Sequence, residues 1–226
     1  MLNRLRISLI ALTLAASASV ASAQTKWWDS TRSTEGITLT GNFGLNISDF
    51  RGGDSWSGAK AGINIGVMAE KPIFTSLSVK AGLFYTMKGN HHKSDGAFGG
   101  TLEVTYNPGY IELPIMASYR YQLNTDIRLQ FDFGPYFAVG VHGKDIKKHG
   151  GGATHDSKIE YNLFGKDGQW SRFDFGFRFG PEVIWKDRFS AGLAYEVSAV
   201  NIWPDSGGNL GNSNFMINLG YKFYTF

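Results

Sequence analysis

The chain has 226 residues, 15% of them aromatic and only 18% charged, with 29 Gly, 6 Pro and no Cys. That length holds one large domain or two small ones, and the lack of Cys excludes disulfide frameworks, Cys-ligated zinc, iron–sulfur clusters and thiol chemistry. The formal charge of +3 includes Arg4 and Arg6 of an expected leader. The mature chain is therefore close to neutral and has no basic footprint for nucleic acid.

Residues 1–6 are basic and residues 7–16 apolar, a run too short to cross a bilayer as a helix. Ala21-Ser22-Ala23 then places small residues where a signal peptidase reads, with Gln24 following. Cleavage between Ala23 and Gln24 is expected. This makes residues 1–23 a signal peptide, 24–35 a polar lead-in and 36–226 a single domain. The lead-in carries Trp27-Trp28, which either touches the membrane surface or rests in a barrel mouth. No later stretch offers the roughly 18 continuous apolar residues of a membrane helix.

From Ile37 onward the pattern has period two. Eight segments, 37–47, 59–69, 77–87, 111–121, 127–139, 173–185, 189–199 and 215–223, place no charged residue at any odd position. The even positions hold most of their glycines and the charges Lys60, Glu70, Lys80, Glu112, Arg120, Arg128, Asp132, Asp174, Arg178, Glu182, Glu196 and Lys222, with Lys88 and Arg172 at segment ends. Alternate side chains of a strand point to opposite faces, so each segment has one greasy and one polar face.

A soluble barrel turns the greasy face inward; a membrane barrel turns it outward. Three features favour the second. The connections alternate long and short in strict order: 48–58, 70–76, 88–110, 122–126, 142–171, 186–188 and 201–214. Transmembrane barrels sort short turns to the periplasmic end and long loops to the outside. Tyr119, Tyr121, Trp185, Phe189, Tyr221 and Phe223 collect at the short-turn end as an interfacial girdle. Finally, the mixed charges and glycines suit the interior of an eight-strand barrel, which side chains just fill. The twelve even-position charges named first are expected to form a paired interior network, because buried charges must be paired. An even strand number places both termini in the periplasm.

The segments also carry recognisable phrases: Gly44-Leu45-Asn46, Ala61-Gly62, Gly82-Leu83-Phe84-Tyr85, Lys88-Gly89, Tyr110-Ile111-Glu112-Leu113-Pro114-Ile115, Gly134-Pro135-Tyr136, Phe173-Asp174-Phe175-Gly176 and Asn218-Leu219-Gly220-Tyr221-Lys222-Phe223. Over residues 36–226 the chain resembles the PorT-like outer-membrane β-barrel family of Bacteroidota. The resemblance implies an eight-stranded outer-membrane barrel and a link to protein secretion. The end of the chain resembles the aromatic signal read by barrel-assembly machinery. Counted from Gly220, however, the usual final aromatic falls on Thr225, so Phe223 is expected to be the last strand residue.

A search for chemistry finds little. His91-His92 with Asp95, and His149 with His155-Asp156, sit on glycine-rich loops without a fixed metal-ligand spacing. A hydrolase needs a Ser and a His within hydrogen-bond reach; Ser190 and Ser198 are expected to face inward at the opposite end from His142. Glu112 with Arg120, and Asp174 with Arg178, read as interior salt bridges rather than acid–base pairs. In the 142–171 loop, residues 158–164 alternate and end in an apolar tip at Tyr161, Leu163 and Phe164. That stretch is either an extended hairpin offering an edge to a partner or a mobile surface loop.

The expectation is an all-β, eight-stranded antiparallel up-and-down transmembrane barrel in the outer membrane. It binds no cofactor, metal or nucleic acid and is not an enzyme. Its partners are outer-membrane lipid, the assembly machinery and a secretion-system or surface protein, in a structural, adhesion or assembly role. The alternatives are a narrow pore or small-solute transporter and, third, a lipid-modifying barrel enzyme.

Overall fold

The computed structural model describes residues 27–52, 58–95, 100–150, 157–165, 170–204 and 209–226. The expected cleavage site at Ala23 and Gln24 lies outside the described residues, as do His155 and Asp156. The strands are β1 (Thr38–Arg51), β2 (Lys60–Phe74), β3 (Leu77–Met87), β4 (Asn90–Asp95), β5 (Thr101–Gln122), β6 (Ile127–Gly150), β7 (Ser157–Asn162), β8 (Phe173–Trp185), β9 (Phe189–Ser198) and β10 (Gly211–Thr225).

Eight of them close an antiparallel ring in the order β1-β2-β3-β5-β6-β8-β9-β10, sealed where β1 pairs with β10. The alternation sets its two faces. Leu45 is 59% exposed and Asn46 2%; Leu83 is 61% exposed and Phe84 2%. Apolar side chains outside and polar ones inside are the arrangement of a barrel solvated by lipid.

β4 and β7 stand outside the ring. β4 pairs with the far end of β5, from Asn90 opposite Tyr106 to Asp95 opposite Thr101. β7 pairs with the far end of β6, from Lys144 opposite Asn162 to His149 opposite Ser157. With β5 and β6 still paired between them, the result is a four-stranded sheet, β4-β5-β6-β7, projecting from the long-loop end. Much of the sequence expected as loop in 88–110 and 142–171 is therefore strand, and the extended-hairpin reading of residues 158–164 holds through Asn162. The physical reason is that β5 and β6 outrun the ring, and their outer backbone groups still require partners.

Three departures from regular strand shape the barrel. Gly89 has φ +131°, and a Cβ there would meet the Tyr106 carbonyl at 2.1 Å. This kink, beside a register shift at Gly109/Tyr110, separates β3 from β4 just after Lys88. Lys186 and Asp187 both adopt positive φ (52° and 50°), and the Arg188 amide donates to the Trp185 carbonyl at 3.1 Å. That is a two-residue hairpin turn of the mirror-image type, matched to strand twist. At the C-terminus, Leu39 faces Tyr224 and Thr40 faces Lys222, leaving Phe223 bulged. The strand thus continues to Thr225, correcting the expectation that it stops at Phe223. The bulge absorbs the odd spacing of the terminal aromatics.

Candidate functional site: the barrel interior and its long-loop end

The interior charges separate into layers. Lys88 is the centre of the layer nearest the long loops. Its Nζ lies 3.0 Å from Glu112 Oε2, 3.2 Å from Glu196 Oε2 and 3.5 Å from Asp174 Oδ2, and 4.2 Å from the centroid of the Tyr136 ring. Arg178 Nη1 approaches Glu196 Oε1 at 3.5 Å and Glu112 Oε1 at 3.7 Å. Ser198 Oγ donates to Asp174 Oδ1 (2.7 Å), Asn212 Nδ2 to Asp174 Oδ2 (2.8 Å) and Asn214 Nδ2 to Glu196 Oε2 (3.2 Å). Every one of these side chains is buried. Three carboxylates thus share two cations and a set of amide and hydroxyl donors, the conditions under which buried charge is tolerated.

In the middle of the barrel, Lys80 Nζ bridges Asp132 Oδ2 at 3.0 Å and Glu182 Oε2 at 2.5 Å. Toward the short turns, Arg120 Nη2 meets Glu35 Oε2 at 2.8 Å, and Glu70 accepts from Ser78 Oγ (2.6 Å) and Gln130 Nε2 (2.9 Å). At the rim, Asp187 Oδ1 is shared by Lys222 Nζ at 2.9 Å and Arg128 Nη1 at 3.2 Å.

Several expectations change. Glu112 does not pair with Arg120, nor Asp174 with Arg178: residues eight and four apart on one strand are separated by roughly 26 and 13 Å, so the partners come from other strands. Lys60 lies near the Ala61 and Lys88 carbonyls, at 3.5 Å each, and meets no carboxylate among the described residues. Lys88, an even-position charge at the end of its segment, belongs in the network, and Glu35 and Asp187 complete it, two residues that the alternation alone does not place there. Lys88 continues the even-position series by one step, which is the signal available for it. Ser198 lies at the same end as His142, not the opposite one. The two face different sides of the wall, since His142 Nε2 hydrogen-bonds Tyr85 Oη at 2.8 Å on the exposed surface.

Above the Lys88 layer the connections pack into an apolar cluster. Trp170 stands 5.1 Å from Phe50, 5.3 Å from Tyr106 and 5.9 Å from Trp203 between ring centroids. Leu163, Phe164, Ile202 and Leu210 are buried with them, against Tyr110 and Tyr136 of the ring. The Arg172 guanidinium donates to the Gly140 carbonyl at 2.7 Å and lies 5.3 Å from the Phe164 ring.

On the projecting sheet, Lys144 and Lys158 approach Glu160 at 2.7 and 2.6 Å. Hydrogen bonds from these two ammonium groups, with their charge, hold the Glu160 carboxyl down to about 2. His91 Nδ1 lies 2.8 Å from Thr105 Oγ1, and the described residues contain no group of three or more potential metal ligands. Trp28 stacks on Tyr119 at 6.3 Å while Trp27 is 78% exposed, so the pair belongs to the girdle side of the wall rather than to the lumen.

The chain is similar to several solved structures. Ail of Yersinia pestis, solved in complex with the heparin analogue sucrose octasulfate, shares 14% identity over 84% of this chain and 100% of its own, with TM-score 0.44. Neisserial surface protein A shares 13% over 84% and 100%, with TM-score 0.39. The N-terminal barrel domain of Pseudomonas aeruginosa OprF shares 11% over 81% and 99%, with TM-score 0.30. A search of curated proteins returns no match. Residues 22–202 match the family described as the outer membrane protein β-barrel domain, and the chain belongs to that family.

Proposed function

We propose that this chain is a non-enzymatic, PorT-like barrel of the outer membrane, plugged inside, that works through the sheet projecting from its long-loop end. The observation that carries the reading is the stack of the Lys88 layer beneath the Trp170 cluster, both buried, beside a sheet whose last strand has an open edge. Among the described residues β7 pairs only with β6. Backbone donors and acceptors along such an edge accept an extended strand from a partner, while Lys158 and Glu160 on β7 discourage indiscriminate pairing. The even number of ring strands and the short turns support both termini in the periplasm and the sheet on the cell surface. The role is then adhesion or assembly of a secretion or surface complex.

Two measurements test it together. The purified barrel in planar bilayers should show no openings of porin size; reproducible ones would promote the narrow pore instead. Crosslinking in whole outer membranes should capture a partner with the intact chain and lose it when residues 157–162 are deleted, with heat-modifiable gel mobility retained. Equal capture by both chains rejects the sheet as the working surface.

A further inference from the structure

The opposite end of the barrel carries a separate feature, independent of the projecting sheet. A pocket with a cavity volume of about 60 Å3 enters at the short turns and ends on Met68, Phe84 and Met116. Its lining holds six cationic side chains and four carboxylates. Lys80 is held by Asp132 and Glu182, and Arg178 is turned to Glu112 and Glu196 of the layer above, which leaves Arg120, Arg128, Arg188 and Lys222 as the cations of the mouth.

Arg120 is the key group. It is 3% exposed, and of its guanidinium nitrogens Nη2 alone has a close carboxylate, Glu35 at 2.8 Å. Nη1 and Nε are buried without a hydrogen-bond acceptor, Nε lying 3.7 Å from Glu70. A guanidinium is built to hold a carboxylate with two parallel donors, and here the fork is half used.

Glu35 is itself a loosely held occupant. Its side chain is 50% exposed, and it sits on a strap that runs along the β2–β3 turn outside the ring. The strap's backbone bonds there are Ser33 N to Ile73 O (3.1 Å), Thr75 N to Thr31 O (2.9 Å) and Ser76 N to Asp29 O (3.2 Å). The Lys71 ammonium adds a bond to the Glu35 carbonyl at 2.7 Å. Releasing the strap breaks none of the pairings that close the barrel.

We propose that the short-turn mouth is a receptor for a carboxylate anion, with Arg120 as its binding residue and Glu35 as a tethered competitor that occupies the site when no ligand is present. Arg128 and Lys222 share the single carboxylate Asp187 and leave the approach positive, which draws anions inward. The apolar floor suits a ligand with a short hydrocarbon body behind its carboxylate. A free small diacid and the C-terminal carboxylate of a peptide share this chemistry.

Calorimetric titration of the mature full-length barrel in neutral detergent tests it, with sodium glutarate, N-acetyl-alanyl-alanine and inorganic phosphate as probes. Glu35→Gln should bind glutarate or the dipeptide at least tenfold more tightly than the unmodified chain. The probe that responds identifies the source, free acid or peptide terminus. Arg120→Gln should abolish the binding; where that variant fails to reach the heat-modifiable fold, Arg120→Lys, which keeps the charge and loses the fork, should weaken it at least tenfold. Three results overturn the proposal: no tightening in Glu35→Gln, undiminished binding in the Arg120 variants, or phosphate bound as tightly as both carboxylates.

Discussion

Lys88 and Glu112 meet at 3.0 Å with neither side chain exposed to solvent. Removing one partner of a buried ion pair leaves an uncompensated charge, at a cost of about 3–5 kcal/mol. Lys88→Met should destabilise the barrel by that order, because among the described residues Arg178 would remain the one cation facing Glu112 and Glu196, while Asp174 would lose its ion pair. Adding Glu112→Gln to the same chain should recover at least half of the loss. Urea unfolding in lipid vesicles, run as a double-mutant cycle, measures the coupling; additive effects would mean that the pair is not an energetic unit.

Phe177 lies in the middle of β8, 40% exposed, while its neighbour Arg178 points inward. Phe177→Arg would place a cation on the lipid face, costing about 2–4 kcal/mol near the midplane. It should depress assembly, whereas Phe177→Leu should not. Heat-modifiable mobility of the two variants checks the assignment of faces.

Glu160 supplies the pH prediction. Its ordinary value is 4.5 and the Lys144 and Lys158 bonds lower it to about 2. A carboxyl depressed by folding contributes stability that is complete above its unfolded value and disappears as pH falls through the folded one. The β6–β7 hairpin should therefore keep this contribution at neutral pH and lose it between about 4.5 and 2. The carboxyl carbon shift of Glu160, followed by NMR, should titrate near the lower value in the unmodified chain and move upward in Lys144→Met.

Orientation is tested by labelling. Cysteines placed at Asp95, on β4, and at Asp187, in the β8–β9 turn, stand at opposite ends of the barrel. An impermeant maleimide applied to intact cells should modify the first and spare the second. Labelling of the Asp187 position on intact cells would reverse the topology.

How much of the fold and its interior is legible in the sequence depends on the kind of contact. Odd-even alternation in segments such as 173–185 identifies strands and their lipid face directly, because strand geometry maps sequence parity onto sides of a wall. Alternating connection lengths identify a barrel with two unlike ends. Ion-pair partners are not legible. Glu112 finds Lys88 beyond the end of neighbouring β3 and Arg178 on β8 through the shear of the ring, and nothing along β5 itself reports either partner. Glu35 is invisible for a similar reason, since its role depends on a strap folding back over Arg120. The projecting sheet is half visible: residues 158–164 alternate, but the pairing of β4 with β5 spans the Gly89 kink, where the alternation breaks. The Trp170 cluster gathers single aromatics from separated connections and leaves no periodic trace.

That cluster bears on how the barrel is completed. Phe50 comes from the first strand, next to the seam where it lies opposite Asn212 of the last, whereas Ile202 and Leu210 come from the connection just before that last strand. These groups cannot meet until β1 and β10 have joined. Contacts so distant along the chain form slowly, so the rings around Trp170 should be the final part of the molecule to order. They act as a latch that fastens after the seam has closed. A chain delayed with its seam open would carry Phe50 and Trp170 unpacked, and burying those rings favours the closed ring over the open one.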